Sequence, residues 1–297
     1  VSYSPAVSQN IDERLDEILT IVRPIGWGAA KILRAYYQGE HPDLGVQEQG
    51  DGPVTAADIA VNHYILDNLQ NALGTQDFAY LSEETYKTQP TSEWLNHPWV
   101  WIVDPLDGTR DFIDRTGEYA VHIALTHKGR PVLSVVVCPE LEKLYYARLG
   151  GGTFAEIPDG SVTAIRVSDR DRPEDLTLVV SRTHRDDRFN ALLQRLPCQQ
   201  QLYVGSVGCK IAAILEQRAD VYISLSGKSA PKDWDMAAPE LVLTEAGGQF
   251  THFDGKPLKY SQGDVNQWGG LLASNGHCHE ELCQQADGAL AFLDASN

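Results

Sequence analysis

Positive charge is what this sequence is shortest of. Its 297 residues carry 24 Lys and Arg against 41 Asp and Glu, a formal net charge of −17. A grip on nucleic acid draws its affinity from Lys and Arg neutralising phosphates, and no basic stripe interrupts the acid excess, so a nucleic-acid partner is excluded. Long apolar runs are missing as well. The longest, such as 132–138, have strand length, whereas about 20 residues are needed to cross a bilayer, so no membrane partner is expected. Cysteine is sparse and unpatterned: Cys138, Cys198, Cys209, Cys278 and Cys283 form an odd set without a C-x-x-C pair. That suits free thiols in a reducing compartment and makes a cytoplasmic location the expectation. The first residues carry no basic segment or cleavage signature, so no secretory leader is expected. Internal repeats and low-complexity tracts are also lacking. With 42% hydrophobic residues the chain can bury a substantial core without disulfide or metal staples, which excludes intrinsic disorder.

What is present divides the chain in two. From 11 to 37 apolar residues recur at three- and four-residue steps, predicting an amphipathic helix that Pro24 should kink. Thr55-Ala56-Ala57-Asp58 has the form of a capping box and announces a second helix through Val61, Ile65 and Leu69. Short apolar runs at 78–81, 99–103, 120–126, 131–138, 143–148 and 153–157 then follow at meander spacing, with turns at 128–129 and 150–152. This half, 1–167, reads as α+β, helices on an antiparallel sheet. The half 168–297 alternates strands (176–181, 202–204, 221–225, 249–252) with helices (187–195, 210–217, 235–246), an α/β pattern with a mixed sheet.

The chemistry concentrates at Trp99–Thr109. An apolar strand is expected to end at Asp104-Pro105-Leu106-Asp107-Gly108-Thr109, where Pro105 and Gly108 bend the chain. Two carboxylates and the Leu106 carbonyl then point to one spot, a donor set for a hard cation such as Mg²⁺. Gly108 and Thr109 would offer amides to an anion at the start of a short helix. On the two Asp alone, a self-satisfied turn is an equal reading. Glu83 and Glu84 leave another strand end, as metal-site acids or as an exposed acidic loop. Asp235 opens a helix, as a ligand or as an N-cap, and Pro239 fits only if it falls within that helix's first turn.

Taken together, Asp51-Gly52-Pro53-Val54-Thr55-Ala56-Ala57-Asp58, Ser82-Glu83-Glu84, Trp101-Ile102-Val103-Asp104-Pro105-Leu106-Asp107-Gly108-Thr109 and Trp234-Asp235-Met236-Ala237-Ala238 resemble the Mg²⁺-dependent, lithium-sensitive phosphatase superfamily of inositol monophosphatase and fructose bisphosphatase. The resemblance covers nearly the whole chain and implies the layered αβαβα sugar-phosphatase fold. Arg110-Asp111-Phe112, the segment 117–125, Ser181-Arg182-Thr183-His184 and Gly205-Ser206-Val207-Gly208-Cys209-Lys210 are most similar to the 3′(2′),5′-bisphosphate nucleotidases, which remove the 3′-phosphate of 3′-phosphoadenosine 5′-phosphate. The resemblance implies two or three Mg²⁺ ions held by Glu83, Asp104, the Leu106 carbonyl, Asp107 and Asp235. It implies that Asp58 and Thr109, with Glu83, prepare the attacking water, with Glu84 just behind the ligands. For a small phosphorylated nucleotide it points to Gly108, Thr109, Arg182, Thr183, His184, Ser206, Lys210 and Lys232, although Lys210 and Lys232 read equally as ordinary solvated lysines. The segment 205–210 lacks the spacing of a P-loop. His277, Cys278, His279 and Cys283 match no usual zinc spacing and read as casual members of a terminal helix. An inositol monophosphatase or inositol polyphosphate 1-phosphatase is the alternative activity, an inactive anion-binding scaffold the remote one. Monomer and homodimer both remain open.

Overall fold

The apolar stripe of the first helix, α1 (Leu15–Tyr37), buries Ile18, Val22, Ile25, Ala29 and Leu33, and the helix runs on through Pro24. Residues 14–41, 43–49, 52–74, 77–88, 92–95, 97–182 and 186–295 are described by the computed structural model. A two-stranded hairpin, β1 (Gln47–Gln49) and β2 (Gly52–Val54), precedes α2 (Ala56–Leu73). Thr55 and Asp58 close the expected capping box there, each accepting from the other's backbone N–H.

Seven strands follow in the order β3 (Ala79–Ser82), β4 (Trp99–Asp107), β5 (Ala120–His127), β6 (Arg130–Cys138), β7 (Lys143–Arg148), β8 (Gly152–Glu156) and β9 (Val162–Ile165), forming one sheet in sequence order. Two short helices interrupt them, α3 (Glu83–Thr88) and α4 (Thr109–Ile113). Strands β4 to β8 run as the antiparallel meander expected and β9 extends it, but β3 lies parallel to β4. A parallel pair needs a crossover connection rather than a tight hairpin between its strands.

A second, five-stranded sheet has the order β11 (Gln200–Tyr203), β10 (Thr177–Val180), β12 (Val221–Leu225), β14 (Gly270–Ser274), β13 (Gln249–His252). Its first three strands are parallel and the last two antiparallel additions, a mixed sheet. Helices α5 (Asp187–Leu193), α6 (Val207–Leu215), α7 (Asp233–Thr244) and α8 (His279–Ala295) complete the chain. The hairpin β1–β2 and strands β9 and β14 are not foreseen by the pattern.

Strand alternation stacks these parts into five layers. Trp101, Val103, Val121, Ile123, Val135 and Val137 face α1 and α2, whereas Val100, Ile102, Ala124 and Val136 face α6 and α7. Those two helices also cover Val179, Tyr222 and Ala273 of the second sheet. The far face, with Leu178, Val180, Val221 and Leu272, packs on α5 and α8. The order is helix, sheet, helix, sheet, helix, the αβαβα arrangement expected.

Two local expectations need correction. The strand beginning at Trp99 does not stop before Asp104 but continues to Asp107, with Asp104 opposite His122 and Asp107 opposite Ala120. The extra residue is absorbed as a bulge, which accommodates Pro105 because proline has no N–H for the ladder. Pro239 lies beyond the first turn of α7, since that helix begins at Asp233. The loss of its N–H leaves the Asp235 carbonyl without its i+4 donor. All five cysteines are buried free thiols, and among the described residues no helix is long and apolar enough to cross a membrane.

Candidate active site

Three elements deliver acids to one place. Strand β3 runs into α3 and presents Glu83 and Glu84, the bulge of β4 presents Asp104, Leu106 and Asp107, and the first turn of α7 presents Asp235. Asp104 is only 1% exposed, and its Oδ1 accepts the Leu106 N–H at 2.9 Å. Burial first, then the charges of Glu83, Asp107 and Asp235, push its pKa well above the usual carboxylate range. Asp235 accepts the Lys232 N–H at 2.7 Å, and burial together with Glu83 and Asp107 lifts it to about 7. It is thus both a cap and a site acid. Asp107 behaves oppositely: burial works to raise it, but His122, the Gly208 amide at 2.7 Å and Lys210 hold it below its ordinary value.

The donor set of four carboxylates and a carbonyl, all oxygen, fits a hard divalent ion. Mutual repulsion at Asp104 is what such an ion would relieve. As they stand, no three acid groups among the described residues gather closely enough to hold one, and Glu83 is engaged by Lys87, whose Nζ lies 2.7 Å from its Oε1.

Asp58 and Thr109 are also brought together. Asp58 Oδ2 accepts from the Thr55 amide at 2.8 Å and hydroxyl at 2.6 Å, while its Oδ1 lies 3.2 Å from the Thr109 hydroxyl. The same hydroxyl reaches the Leu106 carbonyl at 3.1 Å. With one proton, it donates to one of these oxygens at a time. Burial raises Asp58 to about 6 despite the Thr55 bonds. Capping and facing the site are therefore compatible.

A cavity of about 650 Å³ is lined by the acids Glu83, Asp107 and Asp235, by Gly108 and Lys210, and by the largely apolar Phe189, Tyr222, Ile223 and Pro231. Gly108 sits at φ +87°, and a Cβ there would meet Ser206 Cβ at 2.8 Å, so only glycine fits. Ser206 caps α6 by accepting the Cys209 N–H at 3.0 Å. Lys210 is buried, donates to the Gly205 carbonyl and lies 5.6 Å from the Tyr222 ring centroid, so its reading as a solvated lysine is corrected. Lys232 donates to Asn266 at 2.6 Å. Arg182 is paired with Glu118 at 2.7 Å and with Asp111 at 3.3 Å. Thr183, His184 and Asp51 lie outside the described residues. Away from the cavity, His279 bonds Ser274 and Thr251, and Cys278 donates to the Asp171 carbonyl.

Sequence reasoning passes over His122, Lys87 and Glu118. His122 is wholly buried, its Nε2 3.3 Å from Asp107 Oδ2 and its Nδ1 3.2 Å from the Trp234 carbonyl. The available signal was strand alternation, which places His122 on the same face as the small residues Ala120 and Ala124.

The model of the inositol monophosphatase family matches residues 14–291. The chain belongs to the inositol monophosphatase family. It is a phosphatase, a phosphoric monoester hydrolase of that family. Among its relatives is the 3′(2′),5′-bisphosphate nucleotidase CysQ of Salmonella typhimurium, 36% identical over 83% of this chain and 94% of that protein. The protein of the same name from Haemophilus influenzae is 32% identical over 83% of this chain and 88% of its own length. The extragenic suppressor protein suhB of Bartonella henselae superposes with a TM-score of 0.74 at 26% identity, covering 91% of this chain and 98% of that one. The Thermotoga maritima IMPase TM1415, at 22% identity and a TM-score of 0.75 over 93% of this chain and 99% of its own, shares the fold.

Proposed function

We propose that this family member is a Mg²⁺-dependent nucleotidase that hydrolyses the 3′-phosphate of 3′-phosphoadenosine 5′-phosphate to AMP and phosphate, in the cytoplasm. The observation that carries the reading is the form of the cavity. Its lining combines the acids Glu83, Asp107 and Asp235 with Arg182 and Lys210 and with the largely apolar Phe189, Tyr222, Ile223 and Pro231, which suits a ligand with two phosphates and a base. The bisphosphate nucleotidases among the relatives support the same substrate class.

Glu83, Asp104, the Leu106 carbonyl, Asp107 and Asp235 would hold two or three Mg²⁺ ions, which supply when bound an acidified water and charge neutralisation at the leaving oxygen. Asp58, raised to about 6, accepts a proton through the Thr109 hydroxyl that it faces. Gly108 and Thr109 offer amides to the scissile phosphate at the turn into α4. Arg182 can exchange its Glu118 partner for the second phosphate, and buried Lys210 adds positive potential beside Gly205, with Ser206 and Lys232 shaping the wall; Thr183 and His184 belong to the same proposed subsite.

Turnover of 3′-phosphoadenosine 5′-phosphate, inositol 1-phosphate and fructose 1,6-bisphosphate side by side tests the reading. A clear preference for the nucleotide is expected, and a preference for inositol 1-phosphate would replace it with the inositol phosphatase activity. Asp107→Ala should abolish phosphate release with the circular dichroism spectrum unchanged; retained turnover would remove Asp107 from the ligand set.

A further inference from the structure

Helix α3 is six residues long and starts with the two acids that leave β3. Lys87 is four residues after Glu83 and three after Glu84, so all three side chains share one helix face. Its Nζ lies 2.7 Å from Glu83 Oε1 and 3.5 Å from Glu84 Oε1, and the Lys87 and Glu83 side chains are only 13% and 18% exposed. An exposed i,i+4 pair would be weak and interchangeable with solvent. This one is turned inward, lining the same cavity as Asp107 and Asp235 and within the field of Asp104.

The four-carbon stem of a lysine allows its ammonium to reach bulk water with little strain. Here the acids hold it inside against the cost of burial. Within this acid cluster the Glu83 carboxylate is turned to a side-chain cation in the place where the proposed metal reading needs it turned to an ion. An ammonium 2.7 Å from Glu83 Oε1 weakens that carboxylate as a donor to a divalent ion, because the two cations would repel at short range.

We propose that Lys87 is a tethered counter-cation: it offsets the charge of Glu83 and Glu84 in the metal-free protein and competes with a divalent ion for the Glu83 carboxylate. The inference rests on the assignment of Glu83, Asp104, Asp107 and Asp235 as metal ligands and deepens it. Lys87 is thus a competitor that weakens metal binding, and it acts on the metal through Glu83. Competition between two cations for one carboxylate is a negative coupling, for which factors of about 5 to 150 are usual.

Calorimetric titration of Mg²⁺ into metal-stripped protein tests this, comparing wild type, Lys87→Met and Lys87→Arg, with thermal unfolding of each metal-free form. The methionine variant is expected to bind Mg²⁺ about fivefold or more tightly and to unfold at a lower temperature without metal. The arginine variant, which keeps the charge, should stay near wild type. Equal or weaker binding by Lys87→Met, with wild type binding normally, would overturn the role of Lys87 and leave the metal ligands standing. No binding by wild type would remove the metal reading and this inference with it. Should Lys87→Met not fold, the side-chain ¹³Cε resonance of Lys87 in the wild-type protein supplies the answer: it should shift as Mg²⁺ is added, and an unmoved resonance would overturn the proposal.

Discussion

At His122 one buried ring joins two parts of the proposed site. A carbonyl only accepts, so the Nδ1 facing Trp234 carries a proton. The Nε2 lies 3.3 Å from Asp107 Oδ2. The ring thereby orients Asp107, from β4, relative to the start of α7, which carries Asp235. Replacing it with alanine should lower Mg²⁺ affinity or kcat by about 10- to 100-fold, the usual effect of removing a partner that orients a metal ligand. Calorimetry and steady-state kinetics would measure this, and wild-type values for both would reduce His122 to packing. Asp104, Asp107, Glu83 and Asp235 are visible in the sequence because each stands beside a chain-breaking or helix-starting signal. His122 and Lys87 carry no such mark. Asp107 lies 15 residues from His122 and is brought to it by strand pairing and the bulge, whereas the Glu83 and Glu84 partners of Lys87 are local and only the inward turn of their helix face gives that pair its meaning.

Elements matter here through how closely they approach. Helix α6 comes so near β5 that a Cβ on Gly208 would lie 2.5 Å from His122 Nε2 and 2.6 Å from Ala120 Cβ. Gly208→Ala must therefore lift the N-terminal turn of α6 from the sheet and pull the Gly208 amide away from Asp107. A loss of about 1–3 kcal/mol in denaturant unfolding is expected, together with reduced turnover. An unaltered midpoint would mean that the helix can slide without cost. Element type was readable from periodicity and caps, as with Thr55 and Asp58 at α2. Element ends were not. β4 passes through Pro105 because a bulge takes the missing donor, and α7 begins two residues before Asp235 and so carries Pro239 past its first turn.

For the whole molecule, the tie between α8 and the second sheet sets a pH limit. Thr251 donates its hydroxyl to the His252 carbonyl, so His279 Nε2–H donates to Thr251 and its Nδ1 accepts from Ser274. The network requires a neutral ring, and burial lowers its pKa from 6.5 to about 4. Between those values the unfolded chain holds a proton that the folded chain does not, so this contribution is complete above pH 6.5 and is lost as pH falls toward 4. The loss amounts to about 2 kcal/mol at pH 5. His279→Gln, compared with wild type by urea unfolding at pH 7 and pH 5, should lose less stability over that interval; equal losses would show that the ring is not protonated on unfolding. Element types were legible in the sequence because alternation and helical period are local, and the family was legible because the acid motifs are contiguous in the chain; the five-layer stack followed from that resemblance. The net charge of −17 likewise excluded a polyanion grip on composition alone. Only the tertiary structure decided which basic side chains stand among those acids, since Lys87, His122 and Lys210 differ from surface residues in the water that folding removes from around them.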